Sequence, residues 1–204
     1  MRFHLLFLTS LLTFSAFKAY AQNLNSVAVV LTNSSELIIR GSSNLTHFKC
    51  QIDQEFEKDT IMLSTQLKNK KVLLNNALVA FNIDKFHCGQ PGINKDFKET
   101  LKYKEYPNIY IKIREIGIKS LSTGSIIPTQ VTVSTELELA GKKQDYEITF
   151  EEISFKDGII SFKGSKTVHM TDFDITPPRV LLGLIQVNDR LNISFDFNIH
   201  IIKK

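Results

Sequence analysis

The chain has 204 residues, 43% of them apolar and 23% charged, with 15 Phe, 9 Gly, 5 Pro and no Trp. These proportions exclude a low-complexity, collagen-like or intrinsically disordered chain and leave one domain, or two small ones, able to bury about 70% of the unfolded surface. A formal net charge of +4 is scattered rather than gathered into the basic patch that nucleic acid requires, so no nucleic-acid partner is expected.

At the N-terminus, Met1-Arg2-Phe3-His4 precedes an apolar or small run over 5–17 that ends near Ala19-Tyr20-Ala21. The run is shorter than the ~18 residues of a spanning helix, Arg2 supplies a basic end, and Ala19 and Ala21 suit cleavage before Gln22. The expectation is a signal peptide over 1–21 and a mature domain over 22–204 with no transmembrane segment. An uncleaved membrane anchor is the alternative. No Cys follows the run, which argues against a lipid-modified N-terminus. Loss of Arg2 and Lys18, with no acidic residue in that stretch, lowers the formal charge from +4 to +2.

Beyond the signal the hydrophobic period is mostly two, the mark of half-buried strands. In chain order, strands are expected over 27–31 and 36–40, then through Phe48, Cys50, Ile52 and Phe56, through Ile61, Leu63 and Leu67, and over 72–83. The stretch 94–104 spaces Phe97 and Leu101 four apart among Lys, Asp and Glu, so it reads as a short amphipathic helix closed before Pro107. Strand alternation resumes at Ile109, Ile111 and Ile113, and continues through Val131, Val133, Leu137 and Leu139 and then Tyr146, Ile148 and Phe150. The step from Phe150 to Ile153 and Phe155 shifts phase by one, as a β-bulge does. Strands over 159–170 and through Leu191, Ile193, Phe195, Phe197, Ile199 and Ile201 complete the series. Polar turns such as Ala140-Gly141-Lys142 and Lys156-Asp157-Gly158 fall between the apolar runs. No repeat or linker interrupts them. The pattern predicts an all-β fold, an antiparallel barrel or sandwich with one short helix.

Chemistry-bearing motifs are sparse. There is no Gly-rich phosphate loop, no G-x-S-x-G and no H-E-x-x-H, so no catalytic residue and no cofactor is assigned. Glu151-Glu152 point apart on a strand, and Asp172 and Asp174 read as turn-capping residues before Pro177-Pro178. For an exported chain, Cys50 and Cys88 read first as a disulfide. A Cys2His2 zinc site with His47 and His87 is the alternative, although His47-x-x-Cys50 would put its ligands on opposite faces of a strand and no metal is expected. Leu181-Leu182-Gly183-Leu184-Ile185 is a candidate flap at a barrel end, or equally a plug of the core.

Three segments carry a resemblance. Gly41-Ser42-Ser43-Asn44-Leu45-Thr46-His47-Phe48, then Leu101-Lys102-Tyr103-Lys104-Glu105-Tyr106-Pro107-Asn108-Ile109, then Met170-Thr171-Asp172-Phe173-Asp174-Ile175-Thr176-Pro177-Pro178 resemble, in order and spacing, successive landmarks of the YceI-like family. Phe48 stands where related chains commonly have Trp. The resemblance implies a lipocalin-like antiparallel β-barrel exported to the periplasm, paired cysteines at Cys50 and Cys88, and, as in some members, a polyisoprenoid lipid in the barrel. The implied function is non-enzymatic binding of a long-chain or isoprenoid lipid by a periplasmic or secreted protein. The inward rows Ile109, Ile111, Ile113, Val131, Val133, Ile148, Phe150, Phe195 and Phe197, with Phe48, are the expected cavity lining. A filled barrel serving envelope stress or protein interaction is the alternative, and a homodimer is the one protein partner this reading admits.

Overall fold

A computed structural model describes residues 25–56, 60–68, 71–121 and 128–202. The expected signal peptide lies outside the described residues. In chain order the strands are β1 (Asn25–Leu31), β2 (Glu36–Ser42), β3 (His47–Ile52), β4 (Thr60–Lys68), β5 (Lys71–Asn82), β6 (Phe86–His87), β7 (Asn108–Leu121), β8 (Pro128–Leu139), β9 (Lys142–Lys156), β10 (Ile159–His169), β11 (Arg179–Val180), β12 (Ile185–Gln186) and β13 (Arg190–Ile202). Helix α1 spans Pro91–Thr100. It starts three residues before the sequence pattern suggests because Pro91 occupies the first turn, where its missing N–H costs nothing; it ends earlier too, and Leu101 turns its side chain into the core.

Neighbouring strands run β1-β4-β5-β7-β8-β9-β10-β13, and β13 pairs back onto β1, which closes an antiparallel eight-stranded barrel. The same edge of β13 pairs with β1 through Leu31↔Ile199 and with β2 through Glu36↔Asp196. β1 and β2 thus act as one strand interrupted at 32–35, and β2 carries β3 and β6 away from the barrel mouth. The phase shift in β9 is a bulge: Lys163 faces Glu152 and Gly164 faces Phe150, with Glu151 skipped. Gly164 is needed there, because a Cβ would lie 2.7 Å from the Phe150 ring and 3.0 Å from the Thr149 carbonyl oxygen.

The two barrel ends differ. At one end β3, β6, α1 and two 3-10 turns close the barrel over Phe81, Ile83, Phe86 and Phe173, all 0 or 1% exposed. Cys50 and Cys88 are bonded to each other, 38 residues apart in sequence, and extend the β3–β6 register Gln51↔His87 by one pair. The zinc alternative fails because both sulfurs are in this bond. The three family-like segments meet at this end. Ser43 bridges to Val187, Tyr106 packs where a side chain on Gly141 would lie, and Met170, Phe173 and Ile175 are buried. Asp172 accepts hydrogen bonds from the His169 N–H (3.3 Å) and the Tyr146 hydroxyl (2.8 Å), which gives it the expected capping role. Burial, then the bond to Asp172, pushes the Tyr146 phenol well above its ordinary range.

The segment 181–185 neither lids nor plugs the barrel. It is the tip of the β11–β12 hairpin, with Leu181 and Leu182 in left-handed backbone and Leu182 and Leu184 exposed to solvent. Asn44 fastens it from the next loop, accepting from the Gln186 N–H (2.9 Å) and donating to the Leu184 carbonyl (3.0 Å).

Candidate functional site

The opposite half of the barrel is hollow. Inward side chains of β1, β4, β5, β7, β8, β9, β10 and β13 enclose a cavity of about 520 Å³, within the ~300–1,000 Å³ usual for small-molecule sites. Its lining follows from strand parity. Inward positions on β13 bring Phe195, Phe197 and Ile199, those on β8 bring Val131 and Val133, and those on β7 bring Ile111 and Ile113. Beyond the β7 register shift between Ile113 and Glu115, Ile116 takes over the inward position. The lining reaches Pro128, Phe155 and Ile160 beside the chain reversals of this end, and Phe155 is 56% exposed, so the cavity meets solvent there.

Aromatic rings build the floor. Phe150 meets Phe162 edge-to-face at 5.0 Å and Phe195 at 6.2 Å, and Phe197 stacks on Phe81 of the packed half at 5.9 Å. Such geometries hold rings rigidly, so the floor is a fixed surface.

Electrostatically the cavity is almost featureless. All lining residues are apolar except Thr135 and Ser154, and the Thr135 hydroxyl donates to the Tyr146 carbonyl at 3.1 Å. Just below the floor Lys166 shares the inward face of β10 with Phe162. Its Nζ donates to the Glu147 carbonyl at 2.9 Å and lies 5.5 Å from the centre of the Tyr146 ring. The cavity therefore offers dispersion and desolvation to a ligand, with no free carboxylate or thiol among its lining residues to support chemistry.

Eight of the ten expected lining residues come together around this cavity: Ile111, Ile113, Val131, Val133, Ile148, Phe150, Phe195 and Phe197. Two do not. Ile109 faces inward but pairs with Phe81 in the packed half. Phe48 lies on β3, beyond the barrel proper, where its ring fills the space above Gly41 beside Leu191. Alternation assigns a face and not a height along the barrel, and both residues sit too close to the packed end. Sequence reasoning missed Val29, Leu31, Ile61, Leu63, Val79 and Phe162 as lining residues, although their inward parity was available in the predicted strands.

Among the described residues no helix is long and apolar enough to cross a membrane, and no group of three or more His, Cys, Asp or Glu side chains is placed to hold a metal ion. No curated protein matches the chain by sequence. Among solved structures, BcnA of Burkholderia cenocepacia superposes with a TM-score of 0.57 at 12% identity, covering 80% of this chain and 95% of that one. A polyisoprenoid binding domain from Saccharophagus degradans gives 0.54 at 13% identity, covering 85% and 98%. Identities this low establish a shared barrel and nothing finer. The model of the YceI-like domain, however, matches residues 23–199, nearly the whole chain beyond the N-terminal apolar run, and on that match the chain belongs to the YceI-like domain family.

Proposed function

We propose that the mature chain, residues 22–204 after loss of the 1–21 signal peptide, is an exported, non-enzymatic carrier that holds a long-chain or isoprenoid lipid in the barrel. The cavity carries this reading: about 520 Å³ of space inside the barrel, walled by hydrocarbon, with its one deep hydroxyl already donating to a main-chain carbonyl. Water gains few hydrogen bonds in such a space, so an apolar chain displaces it favourably. The fold shared with a polyisoprenoid binding domain supports the ligand class, and the Cys50–Cys88 bond supports an oxidising compartment such as the periplasm. Native mass spectrometry of the exported protein, followed by organic extraction, tests it. The expected result is a co-purifying long-chain lipid, or uptake of farnesol by the delipidated protein. Empty protein that takes up no farnesol overturns the carrier reading and favours a scaffold.

A further inference from the structure

Among the described residues the strand pairing of the barrel wall does not run all the way round. The β4–β5 ladder runs from Lys68↔Lys71 to Ser64↔Asn75 and stops. Past that point the first residues of β4 pair with β1 alone, through Thr60↔Val30 and Ile61↔Val29, and β5 from Ala77 onward pairs with β7 alone. The cause is local. Asn76 has φ 64°, left-handed backbone that Asn tolerates better than most residues. The register shift around it carries the second half of β5 away from β4. Nearer the closed end Gln54 braces the freed edge of β5, donating to the Ala80 carbonyl (3.2 Å) and accepting from the Asn82 N–H (2.9 Å).

The slit between these strands opens onto a surface groove of about 370 Å³. Leu31, Ile61 and Val79 border the groove and the cavity alike. On the outside the groove is flanked by Met62 and Leu78, which are 43% and 48% exposed. The barrel has a second break, where the β9–β10 ladder ends at Phe150↔Gly164. There the Lys166 side chain spans the gap to the Glu147 carbonyl. Among the described residues no side-chain hydrogen bond bridges the β4–β5 slit between Ile61 and Val79, and the polar residues Gln54, Thr60 and Asn76 share the groove border with the apolar ones.

We propose that the β4–β5 slit is a side portal and outer subsite for the part of a polyisoprenoid chain that the cavity cannot hold. The inference rests on the carrier reading and deepens it by naming the ligand's length class. A cavity of about 520 Å³ falls within the ~300–1,000 Å³ of small-molecule sites, a size that suits a short isoprenoid such as farnesol and is exceeded by a long polyprenol. A longer polyprenol extends beyond the cavity; the shared border at Leu31, Ile61 and Val79 leads it across Met62 and Leu78, and exit at the Phe155 rim instead is the outcome in which the variant retains solanesol. Those two outward side chains then shield hydrocarbon from water, a use that explains two large exposed apolar residues bordering one groove on an outer wall.

The test pairs ligand length with a charge in the groove. Met62 and Leu78 are exposed, so the double variant Met62→Asp/Leu78→Asp keeps the fold, which a thermal melt verifies. Farnesol and solanesol are each partitioned from phosphatidylcholine vesicles into wild-type and variant protein. The portal requires solanesol affinity to fall by about tenfold or more with farnesol affinity unchanged. If wild-type binds farnesol and the variant retains solanesol equally well, or loses both ligands alike, the portal is wrong while the carrier reading stands. If wild-type takes up neither, both fall.

Discussion

One strand passes through two different interiors. On β13, Leu191 and Ile193 pack beneath the closed end, whereas Phe195, Phe197 and Ile199, on the same face of the same strand, border empty space. On β7, Ile109 is packed and Ile111 and Ile113 line the cavity. Strand periodicity is identical in both halves, so the difference comes from what covers each end. The β3–β6 extension, the disulfide, Leu101 from the turn after α1 and Phe173 from a 3-10 turn fill one end. No side chain from a comparable cap enters the other among the described residues. An alternating strand decides which side chains face inward, and the connections decide whether they meet one another.

That contrast is broken most forcefully by truncating a ring in the packed half. Phe81→Ala, at a position with no solvent exposure, is expected to cost about 3–5 kcal/mol. Phe155→Ala, at the exposed cavity rim, is expected to cost less than about 1 kcal/mol, because no closed cavity is created. Urea titration of the two variants checks this, and equal losses would erase the distinction between the halves.

Next in size is the covalent tie. Replacing Cys50 and Cys88 together by Ser removes a crosslink over 38 residues and should lower stability by about 2–4 kcal/mol. Ligand affinity at a fixed temperature below the melt should be unchanged, since the bond lies at the opposite end from the cavity. Loss of binding in protein that remains folded would mean that the closed end shapes the cavity.

The smallest effect expected is electrostatic. The hydrogen bond from Lys143, with Arg114 also in contact, holds Glu136 below the usual carboxylate range. Lys142, at 2.5 Å, does the same for Asp174. A carboxyl whose folded pKa is depressed adds stability that is present above its unfolded pKa and lost as pH falls through the folded one. The Glu136→Gln/Asp174→Asn variant should therefore show a shallower fall in Tm on acidification below about pH 5. At neutral pH the variant should melt lower by the same small amount, since Arg114, Lys142, Lys143 and Asp174 are largely exposed and solvent weakens their pairs.

Much of the fold was legible because it is written in local alternation and turn chemistry. The strands of the barrel wall, the β9 bulge and helix α1 all follow from residue spacing. The family-like segments were legible for a different reason: they are the close-packed closures of one end, where Phe48 over Gly41, Tyr106 over Gly141 and buried Phe173 tolerate few substitutes. The cavity was only half legible. Inward parity identified Val133 and Phe195 but could not tell them from Ile109, because their difference is height along the barrel. The slit was not legible at all. Asn75-Asn76 within an apolar strand is its one sequence trace, and it takes the pairing register to show that the ladder ends there.

The most direct test of the hollow half is Val133→Phe. Val133 is 6% exposed, faces Ile148 across the β8–β9 ladder and lines the cavity. If the space is real, the added ring enters it, the melting temperature stays within a few degrees, as expected for a change under about 1 kcal/mol, and farnesol uptake is abolished. If the barrel is packed at this height, the ring has no room and the variant loses about 1–3 kcal/mol by overpacking. That loss, in a protein whose wild-type form takes up no lipid, would contradict the account.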